Sequence, residues 1–187
     1  MLRIVTRLTF IPRMAADARA DAPGVGVLRA AQFTTGDGVD GTPAFSFDGS
    51  ALAFASDRTG AFEIYAQSLA SGAVPLALTS NGRQNLQPAW SPDGQFIAYH
   101  EVVGGGLWLV PSRGGTARRI AERGSRPSWS PDGRWIAVQT QESTDLTMIG
   151  VANEPSAIAL VDPRTGDVRM LTHPAPHEGP HVAPQWS

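Results

Sequence analysis

Nine residues recur almost letter for letter along this chain, as Trp90-Ser91-Pro92-Asp93-Gly94-Gln95-Phe96-Ile97-Ala98 and again as Trp129-Ser130-Pro131-Asp132-Gly133-Arg134-Trp135-Ile136-Ala137. A softer copy lies upstream, Phe45-Ser46-Phe47-Asp48-Gly49-Ser50-Ala51-Leu52-Ala53, and Trp186-Ser187 match the first two positions of a fourth. The leading aromatic residues are 45, 39 and 57 positions apart. Repetition at this interval restricts the fold more than any other property of the chain, because each copy must be one supersecondary unit that buries its faces against its neighbours.

The repeat has a physical logic. Pro fixes φ near the value needed at the second turn position, Asp accepts the bridge-region conformation, and Gly takes the left-handed site that follows. With strand-like residues on either side, the unit reads as a hairpin with a one-residue bulge after the turn. Phe47 replaces Pro in the first copy, which a type I turn tolerates.

Four strands, A to D, follow in each repeat. In the first, A ends at Ala44–Ser46, B is Ala51–Ala55, C is Phe62–Ala66 and D is Pro75–Thr79. In the second they are Gln87–Ser91, Gln95–His100, Leu107–Val110 and Ala117–Ile120. In the third they are Arg126–Ser130, Arg134–Thr140, Ala157–Val161 and Val168–Thr172. Gly-containing turns separate C from D each time, at Ser71-Gly72, Arg113-Gly114-Gly115 and Arg164-Thr165-Gly166. Four short antiparallel strands per repeat make one propeller blade. The expected fold is all-β, a partial β-propeller. It has three complete four-stranded antiparallel blades at about 42–79, 87–121 and 126–172, the start of a fourth at 183–187, and flanking single strands. One flanking strand is expected at Val27–Thr34.

The pattern Pro-x-Trp-Ser-Pro-Asp-Gly-x-x-Ile-Ala, then Ser56-Asp57-Arg58-Thr59-Gly60, Ile64-Tyr65 and Leu78-Thr79, resembles the TolB-type β-propeller repeat over residues 27–187. The resemblance implies a propeller used for protein or peptide recognition. The same repeat also occurs in propellers of prolyl oligopeptidase-type hydrolases and in bacterial sensor proteins and kinases, so fold does not fix function. It favours a periplasmic location; a cytoplasmic one is equally compatible with the absence of cysteine. The third copy departs from the pattern by lacking the Ser-Asp-Arg-x-Gly turn and carrying an insertion there.

Composition sets outer limits. With 187 residues and 42 % apolar content, one domain with a real core is expected. A net charge of −2 offers no field for nucleic acid or anionic lipid. No apolar run approaches the ~20 residues of a membrane helix. Propellers typically close with about four to eight blades. Three blades leave two apolar faces uncovered, so the expectation is a segment of a longer propeller. The alternative is self-association of copies through the open faces into a closed ring.

Residues 1–26 admit three readings: a secretory signal interrupted by Arg7, a strand in which Ile4, Thr6, Leu8 and Phe10 alternate with Arg3, Val5, Arg7 and Thr9, or a short helix or link from Met14 to Ala22. Asp37 and Asp40, among glycines, lack calcium-loop spacing and read as a solvated turn. Trp90, Trp129 and Trp186 read as inter-blade packing residues; Trp108 and Trp135 stay open between packing and surface.

In an up-and-down blade, the B-to-C and D-to-A connections emerge on one face. That face collects the third blade's unusual material, Asp145 and Met148 in its insertion and His173, His177, Glu178 and His181 after its last strand, together with Asp57 and Arg58 of the first B-to-C hairpin, a pair that at such a turn mostly pins loops. Together these form the expected partner-binding surface. His173, His177 and His181 are also weak metal candidates, but prolines interrupt the helical spacing their separation would need. No cofactor is expected. Catalytic signatures are missing, with no Gly-x-Ser-x-Gly elbow, no His-Glu-x-x-His and no kinase motif. The function expected is non-catalytic recognition of a protein or peptide. The alternatives are the gating propeller of a prolyl oligopeptidase-type hydrolase, or the sensor portion of a kinase or transcription regulator.

Overall fold

The computed structural model describes residues 33–34, 36–141, 156–175 and 181–186. Its twelve strands form three four-stranded antiparallel meanders. Blade 1 comprises β1 (Asp40–Phe45), β2 (Ala51–Ser56), β3 (Glu63–Ser68) and β4 (Leu76–Ala77). Blade 2 comprises β5 (Asn85–Trp90), β6 (Phe96–Glu101), β7 (Leu107–Pro111) and β8 (Arg118–Ala121). Blade 3 comprises β9 (Ser125–Trp129), β10 (Ile136–Gln139), β11 (Ile158–Val161) and β12 (Val168–Met170). The fold is therefore an all-β partial propeller with each strand in the order the repeats predict. Among the described residues no helix is long and apolar enough to cross a membrane.

Each A-to-B turn closes as its residues dictate. The Gly94 N–H donates to Ser91 O at 2.9 Å, and Gly94 sits at φ +70°, the left-handed value that an L side chain resists. Side chains add a second layer, since the Ser91 hydroxyl donates to Asp93 Oδ1 at 2.6 Å and accepts from the Phe96 N–H at 2.9 Å. The Asp93 carboxylate in turn accepts the Gln95 N–H at 3.0 Å. Ser46–Asp48 and Ser130–Asp132 repeat the arrangement at 2.6 Å each.

These bonds hold the carboxyls below their ordinary range. Asp48 falls from 3.8 to about 2, through the Ser46 hydroxyl first and then the N–H and hydroxyl of Ser50. Asp93 and Asp132 are lowered chiefly by Ser91 and Ser130. A carboxyl with a depressed folded value stabilises the fold above its unfolded value, and that contribution drains away as pH falls toward the folded one. Stability should therefore drop between about pH 4 and about pH 2, and Ser91→Ala with Ser130→Ala should flatten that slope in thermal melts.

The period of two in each strand creates two apolar faces per blade. Ala53, Ala55, Ile64 and Ala66 of blade 1 meet Leu86, Trp90, Ile97 and Tyr99 of blade 2. On the other side of blade 2, Ala98, Leu107, Leu109 and Ile120 meet Trp129, Ile136, Val138 and Val161. The indoles also bridge the blades by hydrogen bonds. Nε1–H of Trp90 donates to Ala44 O at 3.1 Å, that of Trp129 to Ala89 O at 3.1 Å, and that of Trp186 to Ser128 O at 2.9 Å. Each acceptor directly precedes the aromatic position of the blade before. Trp108 and Trp135 pack at the margins of their cores.

The end faces are more covered than three isolated wedges would allow. Leu52 and Phe54 on blade 1 are 2 % and 1 % exposed, and Ala137 on blade 3 is 4 % exposed. Phe33 and Leu69 pack against the first face.

Four inner positions share a second device. Thr42, Gln87, Arg126 and Ala183 all have positive φ, at 46°, 58°, 50° and 49°, each three residues before its aromatic anchor. The register shifts of the inner strands fall around these residues in all three blades. Left-handed backbone costs an L residue roughly 1–2 kcal/mol. Here the turned-out N–H groups find side chains on the preceding blade: Gln87 N–H donates to Thr42 Oγ1 at 3.1 Å, and Arg126 N–H to Gln87 Oε1 at 2.7 Å. Arg126 has no acceptor to offer next, and Ala183 N–H is met by Gln139 Oε1 at 3.4 Å.

Three boundaries differ from expectation for identifiable reasons. β4 is shorter than Pro75–Thr79, and β12 stops before Leu171. In both blades the terminal Thr hydroxyl replaces a strand carbonyl, Thr79 Oγ1 accepting Ile64 N–H and Thr172 Oγ1 accepting Ile158 N–H, each at 2.9 Å. Residues 181–186 follow the inner-strand pattern without forming a strand, since no second strand pairs with them among the described residues. The readings of residues 1–26, and of Val27–Thr34 except Phe33 and Thr34, lie outside the described residues.

Candidate functional site

The face built from B-to-C and D-to-A connections is held together by backbone bonds between the two kinds of loop. The D-to-A segment between blades 1 and 2 bonds on both sides. Asn85 N–H donates to Phe62 O at 2.7 Å, while Gln84 O and Arg83 O accept from Val102 and Val103 N–H at 3.0 Å each. In blade 3 His181 N–H reaches Ser156 O at 2.8 Å, the counterpart of the Asn85–Phe62 bond. The two connection types do share one side of the molecule.

On blade 1 the predicted pair is anchored within its own repeat. Asp57 Oδ1 accepts the Val39 N–H at 2.7 Å. Arg58 donates through Nε to Ser56 Oγ at 2.9 Å and pairs with Asp40 at 3.1 Å. Its guanidinium also stacks 4.6 Å from the Tyr65 ring centroid. This geometry makes Arg58 a cap over the Phe54–Tyr65 side of the blade, with a side chain still 22 % exposed. Asp40, read as part of a solvated turn, instead opens β1 and holds that arginine.

His173 is exposed and His181 half-buried at the far end, with blade 2 between them and the Asp57–Arg58 pair. Asp145, Met148, His177 and Glu178 lie outside the described residues. Among the described residues no group of three or more His, Asp or Glu is placed to hold a metal ion.

A polar cluster that the sequence reading passed over lies directly beneath this face. Glu63, at the start of β3, is 2 % exposed. Its carboxylate accepts from Thr79 Oγ1, from Gly82 N–H at 2.6 Å and from Asn85 Nδ2 at 2.8 Å. Glu101, at the end of β6, is 1 % exposed and faces Asn81 Nδ2 at 3.2 Å and Arg83 Nη1 at 3.4 Å. Asn81 joins the halves, since its Oδ1 accepts from Asn85 Nδ2 at 2.8 Å. The Tyr99 hydroxyl is enclosed beside both carboxylates; burial first, and then Glu101 and Glu63, push its ionisation well above the ordinary tyrosine range. A signal existed in the sequence: carboxylates flanked by strand residues, as in Phe62-Glu63-Ile64 and Tyr99-His100-Glu101, are buried only when paired or hydrogen-bonded.

The outcome is a braced base that presents Arg83, whose side chain is 55 % exposed, against Gly104 of the second blade's B-to-C turn, with Thr59 and Gly60 exposed in the corresponding turn of the first. Such a surface can offer fixed hydrogen bonds and one backed cation to a partner. Each oxygen of the two buried carboxylates already accepts at least one donor from the surrounding loops and strands.

Residues 29–187 match the TolB beta propeller domain family. A 57-residue stretch is 46 % identical to the Tol-Pal system protein TolB of Desulfosudis oleivorans, covering 30 % of this chain and 13 % of that protein. The crystal structure of TolB from Acinetobacter baumannii superposes with a TM-score of 0.63 at 23 % identity, over 83 % of this chain and 38 % of that one. A puromycin-hydrolyzing peptidase of Mycobacterium tuberculosis superposes with a TM-score of 0.60 at 17 % identity, over 80 % and 24 % respectively. At these identities the superpositions show the fold alone, and this chain spans well under half the length of each of these relatives.

Proposed function

Because this chain belongs to the TolB beta propeller domain family, we propose that it is a non-catalytic recognition module whose B-to-C and D-to-A face binds a protein partner. The observation that carries the reading is the braced polar layer under that face. Buried Glu63 and Glu101, with Asn81 and Asn85, fix the D-to-A loop and back the exposed Arg83. Preorganised loops lose little conformational freedom on binding, which suits recognition. The Asp57–Arg58 turn extends the same surface on blade 1, and His173 and His181 extend it on blade 3. Asp145, Met148, His177 and Glu178 belong to the proposed surface by sequence position. The Desulfosudis relative is named as a Tol-Pal system protein, in keeping with a protein partner.

The test places a photo-crosslinking residue at Thr59 or Arg83 on this face, and at Arg113 or Arg134 on the opposite side, in the source cells. Discrete protein adducts from the first two positions alone are expected, and Arg83→Glu should abolish the one formed at Thr59. Equal adducts from both sides would remove the proposal.

A second reading is favoured by the peptidase superposition, which covers most of this chain. In that reading the blades gate access to a hydrolase domain, and the adducts would form within a single polypeptide.

A further inference from the structure

The three outermost strands end their sheets in different ways. β4 is two residues long. β8 exposes Arg118 and Arg119, and the Arg118 guanidinium also bonds Pro163 O of the neighbouring blade. Short length and charged side chains are the usual means of keeping a sheet edge from recruiting another strand. β12 is less protected: Val168 is 56 % exposed, Met170 41 % and the adjoining Leu171 54 %.

Among the described residues no strand pairs with its outer side. Asp162 N–H donates to Asp167 O at 2.9 Å and Leu171 N–H to Ile158 O at 2.8 Å, so the odd-numbered peptide groups turn toward β11. By the alternation of an antiparallel strand, the N–H and C=O groups of Val168 and Met170 point away from the sheet.

Beside this edge, between β8 and β12, lies a cleft of 590 Å³. Ile120, Val138 and Ala159 line its apolar part together with the side chains of Val168 and Met170, and Arg123 stands at its margin. Arg119 is paired with Glu122 at 2.9 Å, but Arg123 makes no ion pair among the described residues. Residues 118–123 and 162–171 hold five arginines against three carboxylates, in a chain whose net charge is −2.

We propose that β12 and this cleft form a docking site for an extended, acidic segment of a partner protein, added to blade 3 as a fifth strand. Its main chain pairs with Val168 and Met170. Apolar side chains at alternate positions enter the cleft, and carboxylates between them lie opposite Arg169, with Arg123 adding long-range attraction. Apart from Arg123, which lies in the D-to-A connection between β8 and β9, the residues it uses are separate from the B-to-C and D-to-A face. Pairing of β12 with a second copy is the less favourable occupant, because antiparallel register through Val168 and Met170 sets Arg169 directly against its own counterpart.

Panning a display library of random linear peptides on the purified chain tests the proposal, with binding of the enriched peptides measured by fluorescence polarisation. Enrichment of alternating apolar and acidic residues is expected. Met170→Pro removes one outward N–H and leaves the bonds to β11, and affinity should fall about tenfold or more. Arg123→Glu, at an exposed position, should weaken the same peptides by a similar factor and reduce their salt dependence. If no such pattern is enriched, or if the peptides bind both variants as well as the parent, the site is refuted. A concentration-dependent dimer abolished by Met170→Pro would also overturn it, in favour of self-pairing.

Discussion

Trp129→Ala is expected to lower the unfolding free energy by about 3–5 kcal/mol, the range for emptying a buried aromatic site. That is a large share of the roughly 5–15 kcal/mol that holds a typical domain folded. Trp129 is 7 % exposed, packs with Ile136, Val138 and Ala159 between blades 2 and 3, and donates to Ala89 O at 3.1 Å. Trp129→Phe separates packing from the hydrogen bond. It keeps most of the apolar volume and leaves Ala89 O without the indole, so the loss should be nearer 1–2 kcal/mol. Trp186, at 38 % exposure, should cost less than Trp129 when truncated. Urea unfolding with a common m-value measures all three. Equal stabilities for Trp129→Ala and the parent would show that the repeats do not depend on stacking.

Glu63→Ala should be comparably damaging. Three donors converge on this carboxylate, from Thr79, Gly82 and Asn85, and the group is 2 % exposed. Hydrogen bonds to charged groups contribute about 1.5–3 kcal/mol each, and water entering the vacated space recovers part of that, so a net loss of about 3–5 kcal/mol is expected. Glu63→Gln preserves the volume, yet in either amide orientation its NH2 group meets a donor. About 1–3 kcal/mol is expected for it. A double-mutant cycle with Thr79→Val isolates the shared bond, because Thr79 also accepts the Ile64 N–H that ends the strand. Additive losses in that cycle would show the cluster to be a set of independent contacts. If Glu63→Gln alone also weakens crosslinking at Thr59, the buried layer positions the proposed binding face as well as stabilising it.

Much of the architecture was legible because it follows from local chemistry. Ser-Pro-Asp-Gly can close only a tight turn, and the residues after it alternate with a period of two, so β2, β6 and β10 and their partners lie where the repeats place them. The tryptophans were likewise readable as packing residues, but not as hydrogen-bond donors to one carbonyl per blade. Of the expected site, the shared face of the loops was correctly derived from the meander. The role of Arg58 was less accessible, because its partners Asp40 and Tyr65 are brought to it by strand pairing.

The sequence by itself determined the number and order of the blades, their hairpins and their two apolar faces, since these depend on turn propensities and on side-chain alternation within a few residues. Tertiary structure alone decided the rest: the left-handed inner positions at Thr42, Gln87 and Arg126, the enclosure of Glu63 and Glu101, and the exposed apolar side chains of β12. The cause is physical. A strained backbone or a buried carboxylate survives only where groups distant in sequence supply its hydrogen bonds, and those partners exist only once one blade has stacked on the next.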